Sequence, residues 1–194
     1  CEPLPGPDDA VRLALRVGLA HREGRVNILC PFDDLDAPAV PLLLAAPYDP
    51  PPPGPVSLAV FPGPHASFLG RHKTMSHLPY LVARRHAARL GCFDALLVDG
   101  DGLVVETSAC ALLLADDDGL VAPAHSCALP STALALVAEL LPVRHQPVLL
   151  DDLPGFRHAF VCNSLFGMRA VSRIGEVGFA LDEETVNVGN GVIL

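Results

Sequence analysis

Apolar positions recur at two periods along this chain, and the change of period divides it. After Asp8 and Asp9, a run through Val11, Leu13, Leu15, Val17 and Leu19 predicts a helix with an acidic cap that ends near Gly24. Residues 25–30, 41–46 and 56–61 predict short strands. Residues 49–55 read Asp-Pro-Pro-Pro-Pro-Gly-Pro, which offers almost no amide donors to a sheet and predicts a linker between two lobes. The predicted organisation is a small N-terminal lobe with its linker over residues 1–69 and a larger domain over 70–194. In the second part Ser76 is a good N-cap and Pro79 fits a first helical turn. Leu78, Leu81, Val82 and Ala88 mark one face of that helix, which stops at Gly91.

Beyond Gly91 the period shortens. Residues 95–98, 103–106 and 111–115 predict strands, with Asp99-Gly100-Asp101-Gly102 as a tight turn between the first two. Asp116-Asp117-Asp118-Gly119 turns the chain into 120–122. A second helix is predicted over 132–141, introduced by Leu129-Pro130-Ser131, and further strands over 143–148, 160–162 and 171–174. The tail from Gly178 is weakly patterned. The fold class predicted is α+β: a mixed, mostly antiparallel sheet with helices packed on it.

Composition narrows the function. The 194 residues are 51% hydrophobic but only 5% aromatic, so Ala, Val and Leu build the core. The formal net charge is -9, and no basic cluster offsets it, which argues against a nucleic-acid or anionic-membrane partner. No apolar run is long enough to span a bilayer. The 6 cysteines include no C-x-x-C pair, and Cys110 and Cys162 lie inside apolar runs, as reduced thiols of a cytoplasmic protein would. Cys1 stands where an initiator Met is expected, so the reading is of a trimmed chain. None of the 8 histidines has zinc spacing with a His or Cys; they read as surface or packing residues, and no metal is expected. His72 is expected to point away from the side of Lys73. The acidic triplet at 116–118 lacks the further ligand positions of a calcium loop and reads as a solvated turn.

Candidate chemistry sits in four polar clusters, each at a strand end or helix start. Lys73 is the only lysine in the chain. Its amine can attack a carbonyl and form a Schiff base, which a guanidinium cannot; a surface lysine left by chance is the competing reading. Glu106 closes an apolar run and needs a partner if buried, or faces water at a strand end. Ser131 and Thr132 open a helix and can hold a phosphate or serve as an ordinary cap. Asn163 and Ser164 follow a strand and extend such an anion site, or form a turn.

Their order resembles the class IV aminotransferase family, carried by "KTMSHLPYLVARRHAARLGCFDALLVDGDGLVVETS" and "FVCNSLFGMRAV". The resemblance runs from the first helix to Ile174. It implies a fold-type-IV, D-amino acid aminotransferase-like architecture and a pyridoxal 5'-phosphate cofactor. It further implies Lys73 as the Schiff-base lysine and catalytic base, and Glu106 facing the pyridine nitrogen. Ser131, Thr132, Asn163 and Ser164 then fall in the two phosphate-holding segments. The expected partners are a small-molecule amino substrate and a second copy of the chain, as a homodimer. Leu78, where branched-chain aminotransferases usually carry tyrosine, and the Asn-Ser-Leu turn are closer to aminodeoxychorismate lyases; an amino-acid transaminase and a catalytically degenerate, binding-only member are the alternatives. Members normally carry a further stretch ahead of what is seen here, so a truncated small lobe is expected. Ser131-Thr132-Ala133 replaces the usual Gly-Ile-Thr, Leu134 a common arginine, and Ala111 a frequent asparagine. Weaker phosphate binding is expected from the lost charge-assisted pair.

Overall fold

A computed structural model describes residues 6–20, 23–30, 40–65 and 67–194. Cys1 and His21 lie outside the described residues. The chain divides into two compact units, Cys1–Pro51 and Pro52–Leu194.

In the first unit, helix α1 (Pro7–Arg16) precedes an antiparallel pair, β1 (Gly24–Leu29) and β2 (Leu42–Pro47). The helix is shorter than its apolar run suggests. Gly18 takes φ +78, a conformation that stops the helix well before Gly24. The N-cap is Gly6, and Asp9 caps from inside by accepting from the Gly6 amide at 2.9 Å.

The second unit is built on a nine-stranded sheet. Its strands are β3 (Val56–Val60), β4 (Asp94–Val98), β5 (Val104–Thr107), β6 (Ala111–Asp116), β7 (Gly119–Pro123), β8 (Val143–Gln146), β9 (His158–Asn163), β10 (Gly167–Ile174) and β11 (Val177–Gly178). The order is β5-β4-β3-β10-β9-β6-β7-β8, with β11 beside β10. Pairings β3·β4, β3·β10 and β7·β8 are parallel and the rest antiparallel, the mixed arrangement expected. β3, grouped with residues 1–69 on sequence, is a central strand of this sheet.

Both faces of the sheet are covered, which explains why its strands read as continuous apolar runs. Leu112, Leu114, Val161 and Val171 point to one core together with Leu153 from a 3-10 turn at Leu150–Gly155. Leu113, Phe160, Cys162 and Ala170 point to the other, under helices α3 (Thr132–Leu140) and α4 (Glu183–Ile193). A third cluster packs helix α2 (Leu78–Arg89) on β3 and β4 through Ala83 and Ala87.

Two helices differ from expectation. The N-cap of α2 is His77, without a side-chain cap, and not Ser76. Its buried face is also turned: Ala83 and Ala87 lie against the sheet, while Leu78, Leu81 and Val82 are exposed. Small residues let a helix approach a sheet closely, so the alanines take the inside. The weakly patterned tail forms α4, capped by Asp182, which accepts from the Thr185 amide at 3.0 Å. No helix among the described residues is long and apolar enough to cross a membrane.

Candidate active site

The loop between β3 and α2, the β5–β6 corner, the segment ahead of α3 and the β9–β10 turn meet around one cavity of about 440 Å³. Lys73, Glu106, Ser131, Thr132, Asn163 and Ser164 all line it. Residues as much as 91 positions apart in sequence (73 and 164) are brought together by the strand order, which sets β5 and β9 at either side of β3, β4 and β10.

Lys73 stands on an exposed stretch of the β3–α2 loop. Its position depends on Gly70, which is buried. A Cβ built there would lie 2.0 Å from the Cys127 carbonyl oxygen, so the two loops touch backbone to backbone. Gly70→Ala is therefore expected to displace the Lys73 loop and destabilise the protein by about 1–3 kcal/mol in urea denaturation, as overpacking does. An unchanged denaturation midpoint would contradict this contact.

The segment on the other side is pinned through His125. Its Nδ1 accepts from the Cys127 amide at 3.0 Å, so Nε2 carries the proton and donates to Asp99 Oδ2 at 3.0 Å. This bond, with the backbone donors of Leu103 and Asp101, holds the Asp99 carboxyl below the usual carboxylate range. The pinned loop presents the Leu129 amide to Glu106.

Glu106 is only 9% exposed. Its Oε1 accepts from the Tyr80 hydroxyl at 3.1 Å and its Oε2 from the Leu129 amide at 3.2 Å. Burial pushes this carboxyl up to about 7; the Leu129 amide, Tyr80 and the Lys73 charge oppose the rise, and Asp94 adds to it. Of the two sequence readings, the buried carboxylate with partners is the one found. The corner that follows is fixed by Asp94, buried in β4. It accepts from the Ala95 amide (2.8 Å), the Thr107 hydroxyl (2.8 Å), the Ala109 amide (3.1 Å) and the Ser108 hydroxyl. A buried carboxylate with that many donors is satisfied, and it locks residues 107–109 at the cavity wall.

Ser131 is the N-cap of α3, its hydroxyl accepting from the Leu134 amide at 3.2 Å. The first intrahelical bond runs from Ala135 N–H to Ser131 O, so the amides of Thr132 and Ala133 precede the helix's own ladder. Asn163 serves the turn directly: Oδ1 accepts from the Leu165 and Phe166 amides at 3.0 and 3.1 Å, and Nδ2 donates to the Ala109 carbonyl at 3.3 Å. That leaves Ser164, exposed, with a hydroxyl toward the cavity.

Sequence reasoning missed His65, Tyr80 and Asp94. His65 and His72 line the cavity and are not bystanders; His72 shares a wall with Lys73, because this segment is a loop and not an extended strand. Tyr80 could have been found from the helix period, since residues 80, 83 and 87 share the face that packs on the sheet. The wall also carries Cys110 and Cys162, free thiols; burial pushes Cys162 up to about 12 and Cys110 well above its ordinary value.

Comparison with known proteins places this geometry. No curated protein matches the sequence. Solved structures do. A provisionally named 4-amino-4-deoxychorismate lyase from Legionella pneumophila superposes with TM-score 0.76 at 20% identity, over 92% of this chain and 71% of that one. A hypothetical aminotransferase from Mycobacterium tuberculosis, in its PLP-bound form, gives 0.79 at 19% identity over 95% and 73%. A branched-chain aminotransferase from the thermophilic archaeon Thermoproteus uzoniensis, with norvaline, gives 0.74 at 17% identity over 87% and 62%. At such identities the likeness establishes the fold. The sequence model described as amino-transferase class IV matches residues 8–174, most of the chain, and the protein thus belongs to the class IV aminotransferase family.

Proposed function

We propose that this chain is a pyridoxal 5'-phosphate-dependent enzyme acting as a 4-amino-4-deoxychorismate lyase, releasing pyruvate and leaving p-aminobenzoate. The observation that carries the cofactor is the convergence of the chain's only lysine and a buried carboxylate on one cavity. The donor set fits the group. A primary amine stands for its aldehyde, a carboxylate with both oxygens tethered stands for its ring nitrogen, and the α3 N-terminus with Ser131, Thr132 and Ser164 stands for its phosphate. When bound, the cofactor supplies a protonated ring that draws electrons from the substrate's α-carbon.

The protein's own part is then as follows. Glu106, ionised, holds a proton on the ring nitrogen. Lys73 Nζ, once displaced by the substrate's amine, takes the α-proton and returns it elsewhere. The amides opening α3 and the Ser131, Thr132 and Ser164 hydroxyls hold the phosphate without a charged partner, so the predicted affinity is modest. The lyase reading rests on Leu78 and the Asn163-Ser164-Leu165 turn. A transaminase of the branched-chain or D-amino acid type is the second reading, supported by the aminotransferase folds among the structural neighbours. A binding-only member is the third, supported by the altered phosphate segment.

Parallel assays on cofactor-saturated protein separate them. p-Aminobenzoate release without amino-group transfer supports the lyase. Transfer to a 2-oxo acid supports the transaminase and overturns the lyase. Neither activity supports the binding-only member.

The proposal includes a homodimer in the cytoplasm. Phe68 is 91% and Leu78 70% exposed, and with Leu69, Met75, Leu81 and Val82 they form apolar surface on the loop and helix that border the cavity. Exposed apolar patches of this kind mark association surfaces. A single monomeric species in sedimentation velocity at micromolar concentration would overturn the dimer.

A further inference from the structure

We propose that Tyr80 is a positioning residue for Glu106: its hydroxyl and the Leu129 amide hold one carboxylate oxygen each, fixing the plane of the group toward the cavity. A carboxylate turns freely about its last torsion, where the preference is broad and two-fold. A single donor would leave that rotation open. Here the donors come from different elements, α2 at 3.1 Å and the segment before α3 at 3.2 Å, and rotation would break both bonds.

The tyrosine is itself oriented. Its ring lies 5.2 Å from that of His65, centroid to centroid, and its oxygen is 3.5 Å from His65 Nε2. His65 is buried and anchored by its own amide to the Val98 carbonyl at 2.7 Å. Burial and the neighbouring His125 lower its pKa, so the ring is neutral. With the Tyr80 proton directed at Glu106, the phenol oxygen is left to accept from His65. Burial and the Glu106 charge push the Tyr80 hydroxyl up to about 12, so it remains a donor through the whole working range.

The groups facing Glu106 are Tyr80 from α2, Lys73 from the β3–α2 loop, Asp94 from β4 and the Leu129 amide; His65 and Cys127 lie behind Tyr80. Among them Tyr80 alone can lose its donor while keeping its shape. A packing role would survive Tyr80→Phe, whereas a positioning role would not.

The functional meaning rests on Glu106 facing the cofactor's ring nitrogen, but the test does not need cofactor. Glutamate labelled with 13C at the side-chain carboxyl is titrated by NMR in cofactor-free protein, the Glu106 signal being the one lost in Glu106→Gln. Removing one donor to a charged acceptor should raise the Glu106 midpoint in Tyr80→Phe by about one to two pH units above wild type. Fluorotyrosine, a stronger donor of nearly the same shape, replaces both tyrosines without emptying the site; the other one, Tyr48, belongs to the first unit, and the midpoint should fall. A midpoint unmoved by either change overturns the proposal. Failure to capture cofactor on Lys73 with these shifts intact would sink the proposed function and leave the role of Tyr80 standing.

Discussion

Lys73→Ala protein, mixed with pyridoxal phosphate and reduced with borohydride, is expected to keep no covalent cofactor, while wild type keeps one per chain. The chain makes this a clean measurement. Lys73 is its only lysine, so the sole competing primary amine is the α-amino group of whichever residue begins the protein. Peptide mapping by mass spectrometry separates the two. Turnover should fall with the label, because the same nitrogen acts as the base, and a positioned base contributes on the order of 10²–10⁴-fold. Arginine at this position preserves charge but cannot form the bond, so Lys73→Arg should behave like Lys73→Ala. Wild-type protein labelled elsewhere, or not at all at saturating cofactor, would remove the enzyme reading.

The second large effect is on stability. Glu106 titrates near 7 in the folded protein against 4.5 as the ordinary value. A raised carboxyl means that the folded state binds the proton more tightly than the unfolded state. Stability from this group is thus complete below about 4.5 and is lost as pH rises toward 7, levelling off above it. The full difference is about 3 kcal/mol at 1.36 kcal/mol per unit. Other groups titrate with the opposite sign. His65, with its pKa lowered by burial, favours the folded state as pH rises, and Asp9, Asp99, Asp116 and Asp182 do so in a more acidic range. The difference between wild type and Glu106→Gln isolates the term. Urea denaturation of cofactor-free protein between pH 4.5 and 8 should show wild type losing ground to Glu106→Gln as pH rises. Parallel profiles would mean that the carboxyl is not held up by burial.

Most strands were legible in the residues. The β4 to β7 turns announce themselves: Gly102 and Gly119 both take positive φ, at +83 and +112, in the two acidic Gly-containing turns. Ser131 was readable as a cap because a short hydroxyl ahead of an apolar periodic run does one local job. Tyr80, His65 and Asp94 were not readable, because each matters only through a partner that is distant in sequence. Asp94 joins Thr107 and Ala109 across a β4–β5 pairing, and Tyr80 meets Glu106 from a helix whose buried face apolarity alone misjudges. The tail shows the same limit. Gly189-Asn190-Gly191 is a poor helix on propensity, yet Asn190 clamps β10, accepting from the Met168 amide at 2.6 Å and donating to its carbonyl at 3.1 Å.

The residues by themselves settled what each segment can do locally: which runs extend, where the chain must turn, which nitrogen can be a nucleophile. Only the tertiary structure decided which of those segments share a cavity, which face of α2 is inside, and that Glu106 is buried with a donor on each oxygen. The reason is physical. Local preference depends on neighbours a few positions away, whereas burial, and the electrostatics that burial creates, depends on strands paired across the sheet.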